Sequence, residues 1–301
     1  MGVIVVKRIA FLGTGAMGAP MALRLRKAGY PLGVWNRTRA KAEHLTDDGA
    51  EVFDTAVEAV DGADVVVTML ETGIVVDDVL FNSGVWAAIA QGSTLIDMSS
   101  IPPATARDHA ARLGLRGIGY LDAPVSGGTR GAVEGTLAIM VGGEPSVVDR
   151  CSDVLSVFGN ATHVGPAGSG QVTKLANQII VGITIGAVAE ALSLVRASGV
   201  DPAVARRALK GGFADSRILE EHGARMIDRD FGPGAASRIQ LKDLATALGT
   251  AEELGLDLPI TSVLETMFDS LCASGGSELD HSALLLEIER AVGQRSIREQ
   301  E

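Results

Sequence analysis

Between residues 11 and 42 the chain reads FLGTGAMGAPMALRLRKAGYPLGVWNRTRAKA. Gly13, Gly15 and Gly18 stand in the spacing G-x-G-x-x-G, with Ala16 and Met17 inside it. An apolar run, RIAFL, precedes the glycines and a helical pattern follows them. In that context Gly13 permits a tight turn, Gly15 lets the backbone approach a pyrophosphate, and Gly18 lets helix and strand pack closely. The start of the helix then offers free N–H groups and a positive dipole end to the phosphates. Gly13, Gly15, Ala16, Met17 and Gly18 are therefore expected to hold a dinucleotide. The plain alternative is a glycine turn in a doubly wound fold.

Where such folds usually place an acidic residue, at the end of the second strand, this chain has Asn36-Arg37-Thr38. An acid there would bind the ribose hydroxyls of NAD and repel a 2′-phosphate. Asn36 is neutral, Arg37 offers a planar fork that fits a phosphate, and Thr38 adds a hydroxyl. The set favours NADP(H) over NAD(H). A solvated arginine ahead of the helix TRAKAEHL is the competing explanation.

Nicotinamide chemistry moves a hydride to a carbonyl, and the developing alkoxide needs a proton donor. The five histidines, His44, His109, His163, His222 and His281, lie in no catalytic pattern and read as surface or structural residues. Lys174 is the better candidate. It lies early in a long apolar helical stretch, just after a glycine hinge, with Asn177 and Gln178 on its face at i+3 and i+4. An ammonium there can orient a carbonyl and donate the proton. The alternative is a lysine whose stem packs on apolar surface while its head reaches water. Ser126-Gly127-Gly128, after a strand, exposes backbone N–H groups that suit a substrate carboxylate. Lys242-Asp243, in RIQLKDLATAL, reads on spacing alone as an exposed, ion-paired helix face.

These residues need a scaffold. Candidate strands RIAFLG, LGVWN, ADVVVTML, STLIDMS, GYLDAPV, LAIMVGG and THVG fill the first half, and helix-like stretches separate most of the early ones. That alternation predicts βαβ units around a parallel sheet. The runs from 118 to 165 crowd together and predict an extension in mixed orientation. Beyond GPAGSG, residues 165–170, no strand is expected. QVTKLANQIIVGITIGAVAEALSLVRASG has the spacing of one helix buried on several sides. The predicted fold class is an α/β Rossmann-type domain with a mixed-sheet extension over residues 1–165. An all-α C-terminal domain over 166–301 follows, and residues 293–301 read as a frayed end.

Composition bounds the partners. A net charge of −11 argues against nucleic acid, which needs a basic face, and leaves room for a locally basic site that takes an anion. Two distant cysteines, Cys151 and Cys272, exclude a C-x-x-C zinc set, so no metal is expected, and they fit a reducing compartment. The opening MGVIVVKRIAFLG is too short in its apolar run for a secretion signal. The apolar stretch from 175 to 189 falls short of the ~20 residues that span a bilayer. A cytoplasmic protein with no membrane partner is the expectation.

FLGTGAMGAPMA, DAPVSGG, GSGQVTKLANQ and LKDL occur in the order seen in the β-hydroxyacid dehydrogenase family, and the chain resembles that family over nearly its whole length. The resemblance implies a Rossmann domain, a helical second domain that also joins subunits, and an active site in the cleft between the domains. It implies Lys174 as the catalytic lysine and Ser126, Gly127 and Gly128 as the substrate-carboxylate loop. Asn177 matches the asparagine of a reductase-like branch; many members carry it one position later, where Gln178 stands here. Lys242 matches a lysine on the cofactor side, and Ser99, in IDMSS, a small hydroxyl residue near the nicotinamide. KLANQIIVGITIGAVAEAL, GGFADSRIL and MIDRDFGPG are most similar to the branch that reduces tartronate semialdehyde. The Asn-Arg-Thr element departs from the NADH use common there and resembles the NADP users. The expected activity is the NADP-preferring interconversion of a small semialdehyde acid and its 3-hydroxyacid, in a homodimer or homotetramer. Rivals are 3-hydroxyisobutyrate, threonate or succinic-semialdehyde substrates, and a nucleotide-binding protein without catalysis.

Overall fold

The computed structural model describes residues 6–232 and 234–298. The chain divides into two compact units, Met1–Lys174 and Leu175–Glu301. The first contains strands β1 (Ile9–Leu12), β2 (Leu32–Trp35), β3 (Glu51–Val52), β4 (Val65–Thr68), β5 (Thr94–Asp97), β6 (Gly119–Asp122), β7 (Val125–Ser126), β8 (Leu137–Gly143) and β9 (Gly159–Gly165). Its helices are α1 (Gly18–Lys27), α2 (Ala40–Glu43), α3 (Ala56–Val60), α4 (Gly73–Asp77), α5 (Val85–Ala88), α6 (Pro103–Gly114), α7 (Gly128–Glu134) and α8 (Pro145–Ser156).

The strand order is β3-β2-β1-β4-β5-β6-β8-β7, with β9 on β8. From β3 to β6 every pairing is parallel. β8 runs antiparallel to β6 and β7 and parallel to β9. The expected parallel sheet with a mixed extension is what forms. The central strands are buried along their whole length, because helices cover both faces. Phe11, Val34, Val67, Ile96 and Leu121 pack under α1 and α8 through Met21, Leu25, Val154 and Leu155. On the other face Leu12, Val66, Leu95 and Tyr120 pack against Ala59, Val76, Ala106 and Leu113 from α3, α4 and α6. Strand order reverses beside β1, so β1 and β4 leave a crevice at their carboxyl ends, where such sheets bind ligands.

The helix α9 (Ser169–Ala197) begins in the first unit and continues into the second. The second unit adds α10 (Pro202–Leu209), α11 (Arg217–Asp228), α12 (Ser237–Glu253), α13 (Pro259–Leu271) and α14 (Leu284–Arg298). No strand is assigned among its described residues, only an isolated bridge between Ala236 and Asp280. Its core joins Ile185, Val188, Ala189 and Leu192 of α9 to Leu219, Met226, Leu244, Leu264, Phe268 and Leu284. By length and composition α9 is apolar enough to cross a membrane. Its second half is packed into this core, while Val172, Ile180 and Leu194 are exposed. Helical backbone runs on to Arg298, through most of the stretch expected to fray; 299–301 lie outside the described residues, as do 1–5.

Candidate active site

The glycine loop links β1 to α1. Gly13 has φ +103, a conformation that L side chains rarely adopt, and a Cβ there would lie 2.4 Å from the Met69 carbonyl oxygen. A Cβ on Gly18 would lie 1.9 Å from the Gly13 carbonyl oxygen. A Cβ on Gly15 would meet nothing within 4 Å. Two glycines are thus there for packing inside the protein, and the third faces open space beside the first turn of α1. That division is what a pyrophosphate cradle requires, so the loop fits a dinucleotide. Ala16 and Met17 complete the loop between Gly15 and α1.

Asn36 works inward. Its Oδ1 accepts the Thr14 N–H at 3.0 Å, and its Nδ2 donates to the Thr38 carbonyl at 2.9 Å. The Gly13 N–H donates to the Trp35 carbonyl at 2.8 Å. Asn36 therefore ties the glycine loop to the turn after β2. Arg37 and Thr38 are exposed. Arg39 is held by Asp54 at 2.6 Å and Glu43 at 3.5 Å, whereas the Arg37 side chain has no hydrogen-bond or ion-pair partner among the described residues.

At the ends of the next two strands, Asp97 is fully buried and its Oδ1 accepts from Thr68 Oγ1 at 2.8 Å and from Ser99 N at 3.0 Å. Burial pushes its carboxyl up, against the pull of the Ser99 and Thr68 bonds. Ser99 is also fully buried, and its hydroxyl accepts the Leu70 N–H at 3.0 Å. The structure thus gives Ser99 the work of joining the loops after β4 and β5.

Ser126 ends β7, half-buried, opposite Ala138 of β8. Gly127, φ +136, turns the chain directly into α7, a conformation that needs glycine. Space is open around Gly128. Lys174 lies in the second turn of α9, 9% exposed, followed by buried Leu175. Lysine is seldom buried to this degree unless its charge is used. The candidate site residues of the first unit lie on loops leaving the sheet and near the start of α9.

The second unit holds a polar cluster in its interior. Asn177 Nδ2 donates to Gln178 Oε1 at 2.8 Å. Gln178 Nε2 donates to Gln240 Oε1 at 3.1 Å and to Asp243 Oδ2 at 2.8 Å, and Gln240 Nε2 returns a bond to the Gln178 carbonyl at 2.9 Å. Lys242 and Asp243 are paired at 3.1 Å. The pair was expected to be exposed on its helix; instead Asp243 is 2% exposed, because α12 turns that face to Gln178. Sequence patterning missed Gln240 and the burial of Asp243, since a hydrogen bond between residues 62 apart leaves no periodic trace.

The histidines fall where a structural role predicts. His109 is fully buried and bonded to Asp77 at 2.9 Å; His163 Nε2 reaches the carbonyls of Gly143 and Gly165, both at 2.9 Å. His222, Asp280 and His281 do converge, with possible ligand atoms within 4.8 Å of one another. Asp280 is already committed: it accepts from the N–H groups of Ala235 and Ser282 and lies 3.5 Å from Arg225. Burial alone would raise its carboxyl, but the bonds from His222 and Ser282 hold it well below the usual carboxylate range. The cluster anchors the loop before α14.

Residues 8–166 match the NAD-binding domain of 6-phosphogluconate dehydrogenase. Residues 168–288 match the corresponding domain of NADP-dependent 3-hydroxyisobutyrate dehydrogenase. The chain belongs to the β-hydroxyacid dehydrogenase family. This membership makes it an NAD(P)-dependent oxidoreductase of the kind that acts on CH–OH donors. Among its relatives is the 2-hydroxy-3-oxopropionate reductase of Escherichia coli, 45% identical across 94% of this chain and 97% of the other. The NAD-dependent L-serine dehydrogenase of Pseudomonas aeruginosa is 34% identical across 96% of this chain and all of the other, 100%. The solved 3-hydroxyisobutyrate dehydrogenase of Mycobacterium tuberculosis, with L-serine, superposes with a TM-score of 0.86 at 33% identity, covering 94% and 99% of the two chains.

Gly15 and Gly18 should respond differently to alanine. Gly18→Ala forces a methyl against a carbonyl and should cost about 1–3 kcal/mol of stability, read by urea unfolding. Gly15→Ala should leave stability within ~0.5 kcal/mol of wild type and weaken nucleotide binding, read by titration of nicotinamide fluorescence. Equal loss of stability in both would contradict the assignment.

Proposed function

We propose that this protein interconverts a small semialdehyde acid of the tartronate semialdehyde type and its 3-hydroxyacid, with NADP(H) preferred over NAD(H). The observation that carries the chemistry is the buried Lys174, an ammonium early in an apolar helix. The similarity to a 2-hydroxy-3-oxopropionate reductase supports the substrate class. The exposed, unpartnered Arg37 beside an Asn36 that is occupied with the glycine loop supports the cofactor preference.

In this reading the residues 13–18 hold the pyrophosphate on backbone N–H groups, and Arg37 and Thr38 take the 2′-phosphate. A nicotinamide held there would supply or accept the hydride at the substrate carbon. Ser126, Gly127 and Gly128 hold the substrate carboxylate. Lys174 donates a hydrogen bond to the carbonyl oxygen and gives up its proton as that oxygen becomes a hydroxyl; water returns a proton to the amine. In the oxidative direction the neutral amine removes the hydroxyl proton. Asn177 and Gln178 order the polar cluster that begins one turn after Lys174 on the same helix.

Lys174→Ala should lower kcat by ~10²-fold or more, the scale of a positioned acid, in steady-state assays of reduced-nicotinamide absorbance. Turnover close to wild type would sink the role given to Lys174. Arg37→Ala should raise KM for NADPH about tenfold or more, the value of one charge-assisted phosphate contact, and leave KM for NADH unchanged. Equal effects on both cofactors would show that Arg37 does not read the 2′-phosphate.

A further inference from the structure

Asp122 ends β6, beside Asp97 in the strand register. Its Oδ1 accepts the Gly168 N–H at 2.7 Å and its Oδ2 accepts the Gln171 N–H at 2.9 Å. No side chain separates carboxylate from helix. A Cβ on Gly170 would lie 2.8 Å from Asp122 Oδ2 and 2.4 Å from the Met140 carbonyl oxygen, and one on Gly142 would lie 2.5 Å from Asp122 Oδ1. Gln171, 1% exposed, holds the same turn from a second side. Its Oε1 accepts the Ile101 N–H at 3.1 Å and its Nε2 donates to the Ser99 carbonyl at 2.8 Å. The first turn of α9 is thereby bonded to the loop after β5 and to the end of β6. Lys174 lies one turn further along the same helix.

We propose that Asp122 and Gln171 are positioning residues that clamp the first turn of α9 to the sheet and so fix where the Lys174 ammonium stands. This rests on the reading of Lys174 as the proton donor. The ionised carboxylate is the form that takes two N–H groups at once; a protonated one turns a hydroxyl toward one of them. Burial pushes the Asp122 carboxyl up to about 6, more than the Gly168 and Gln171 bonds pull it down, and Asp97 adds to the rise. The other titratable or charged groups on the elements packed around β6 are Tyr120 on β6 itself, Arg107, Asp108, His109 and Arg112 on α6, Asp149, Arg150, Cys151 and Asp153 on α8, His163 on β9 and Lys174 on α9. The clamp therefore weakens as pH falls through about 6, and kcat should fall with it. Stability moves the other way. A folded pKa raised above the ordinary 3.8 contributes stability that is full below 3.8 and lost as pH rises through about 6. Falling activity with rising stability is a signature that simple unfolding does not produce.

The test is the pH profile of kcat for NADPH and tartronate semialdehyde in wild type, Asp122→Asn, His163→Gln and Gln171→Leu. Asp122→Asn should lower kcat at pH 8 by ~10- to 100-fold, the usual effect of a small misplacement of a reacting group, with KM near wild type. Its acid limb near pH 6 should vanish, while His163→Gln keeps it. In the Lys174→Ala background, Asp122→Asn should cost nothing further. Amide exchange at Gly168 and Gln171, which needs no substrate, should accelerate in Asp122→Asn. Near-wild-type kcat in Asp122→Asn, persistence of its acid limb, or unchanged exchange would each overturn the clamp. An active Lys174→Ala enzyme with accelerated exchange in Asp122→Asn would instead sink the lysine and leave the clamp without a catalytic purpose. If Asp122→Asn does not fold, Gln171→Leu decides: it must lower kcat and keep the acid limb, and wild-type kcat in that variant overturns the proposal.

Discussion

Main chain meets main chain at the carboxyl edge of the sheet, with no side chain between. At Gly18 a helix touches the Gly13 carbonyl of the strand turn before it, and at Gly170 another helix touches the carbonyls of Asp122 and Met140. Even one methyl group fits at neither place. This closeness brings the start of α1 and the start of α9 onto the ends of strands, where their unsatisfied N–H groups are available. At α1 a dinucleotide phosphate is the natural partner. At α9 the protein supplies its own anion, the Asp122 carboxylate. Two helix starts, one left for a ligand and one capped internally, follow from the same packing rule.

The arrangement costs stability in a specific place. A carboxylate with two charge-assisted hydrogen bonds, each worth about 1.5–3 kcal/mol, still titrates at about 6, above the ordinary 3.8, so desolvation wins over bonding at Asp122. The same balance holds at Asp97, where burial outweighs the bonds from Ser99 and Thr68. Two neighbouring buried acids at the edge of a sheet are unfavourable for folding alone. Each is bonded to a loop or helix start that carries a candidate site residue, which gives them a reason to be there. In the helical unit the polar cluster of Gln178, Gln240 and Asp243 follows the same logic, every amide being used inside an apolar bundle.

Much of this was legible in the residues. The alternation of apolar runs gave the βαβ order, and crowding after residue 118 gave the antiparallel turn of the sheet at β8. Gly13 and Gly18 are crowded as their spacing implied, and Gly15 faces open space. β3 was not legible, because two residues, Glu51–Val52, carry no periodicity. The bonds from the Asn36 amide to Thr14 and Thr38 were not legible. Asp122 stood in a quoted motif without a role, since its partners Gly168 and Gln171 are 46 and 49 residues away. Hydrogen bonds of that span depend on the tertiary fold, and no local pattern announces them. Asp243 was expected in solvent for the same reason.

Carbonyl reduction at the buried Lys174, with NADPH preferred over NADH, is the activity we propose. Its most direct test is kcat/KM for purified protein with tartronate semialdehyde, measured in parallel with NADPH and NADH at the reduced-nicotinamide absorbance band. Turnover with both and a clear preference for NADPH is the expected result. Preference for NADH would contradict the assignment of Arg37, and oxidation of neither cofactor would contradict the proposed substrate class.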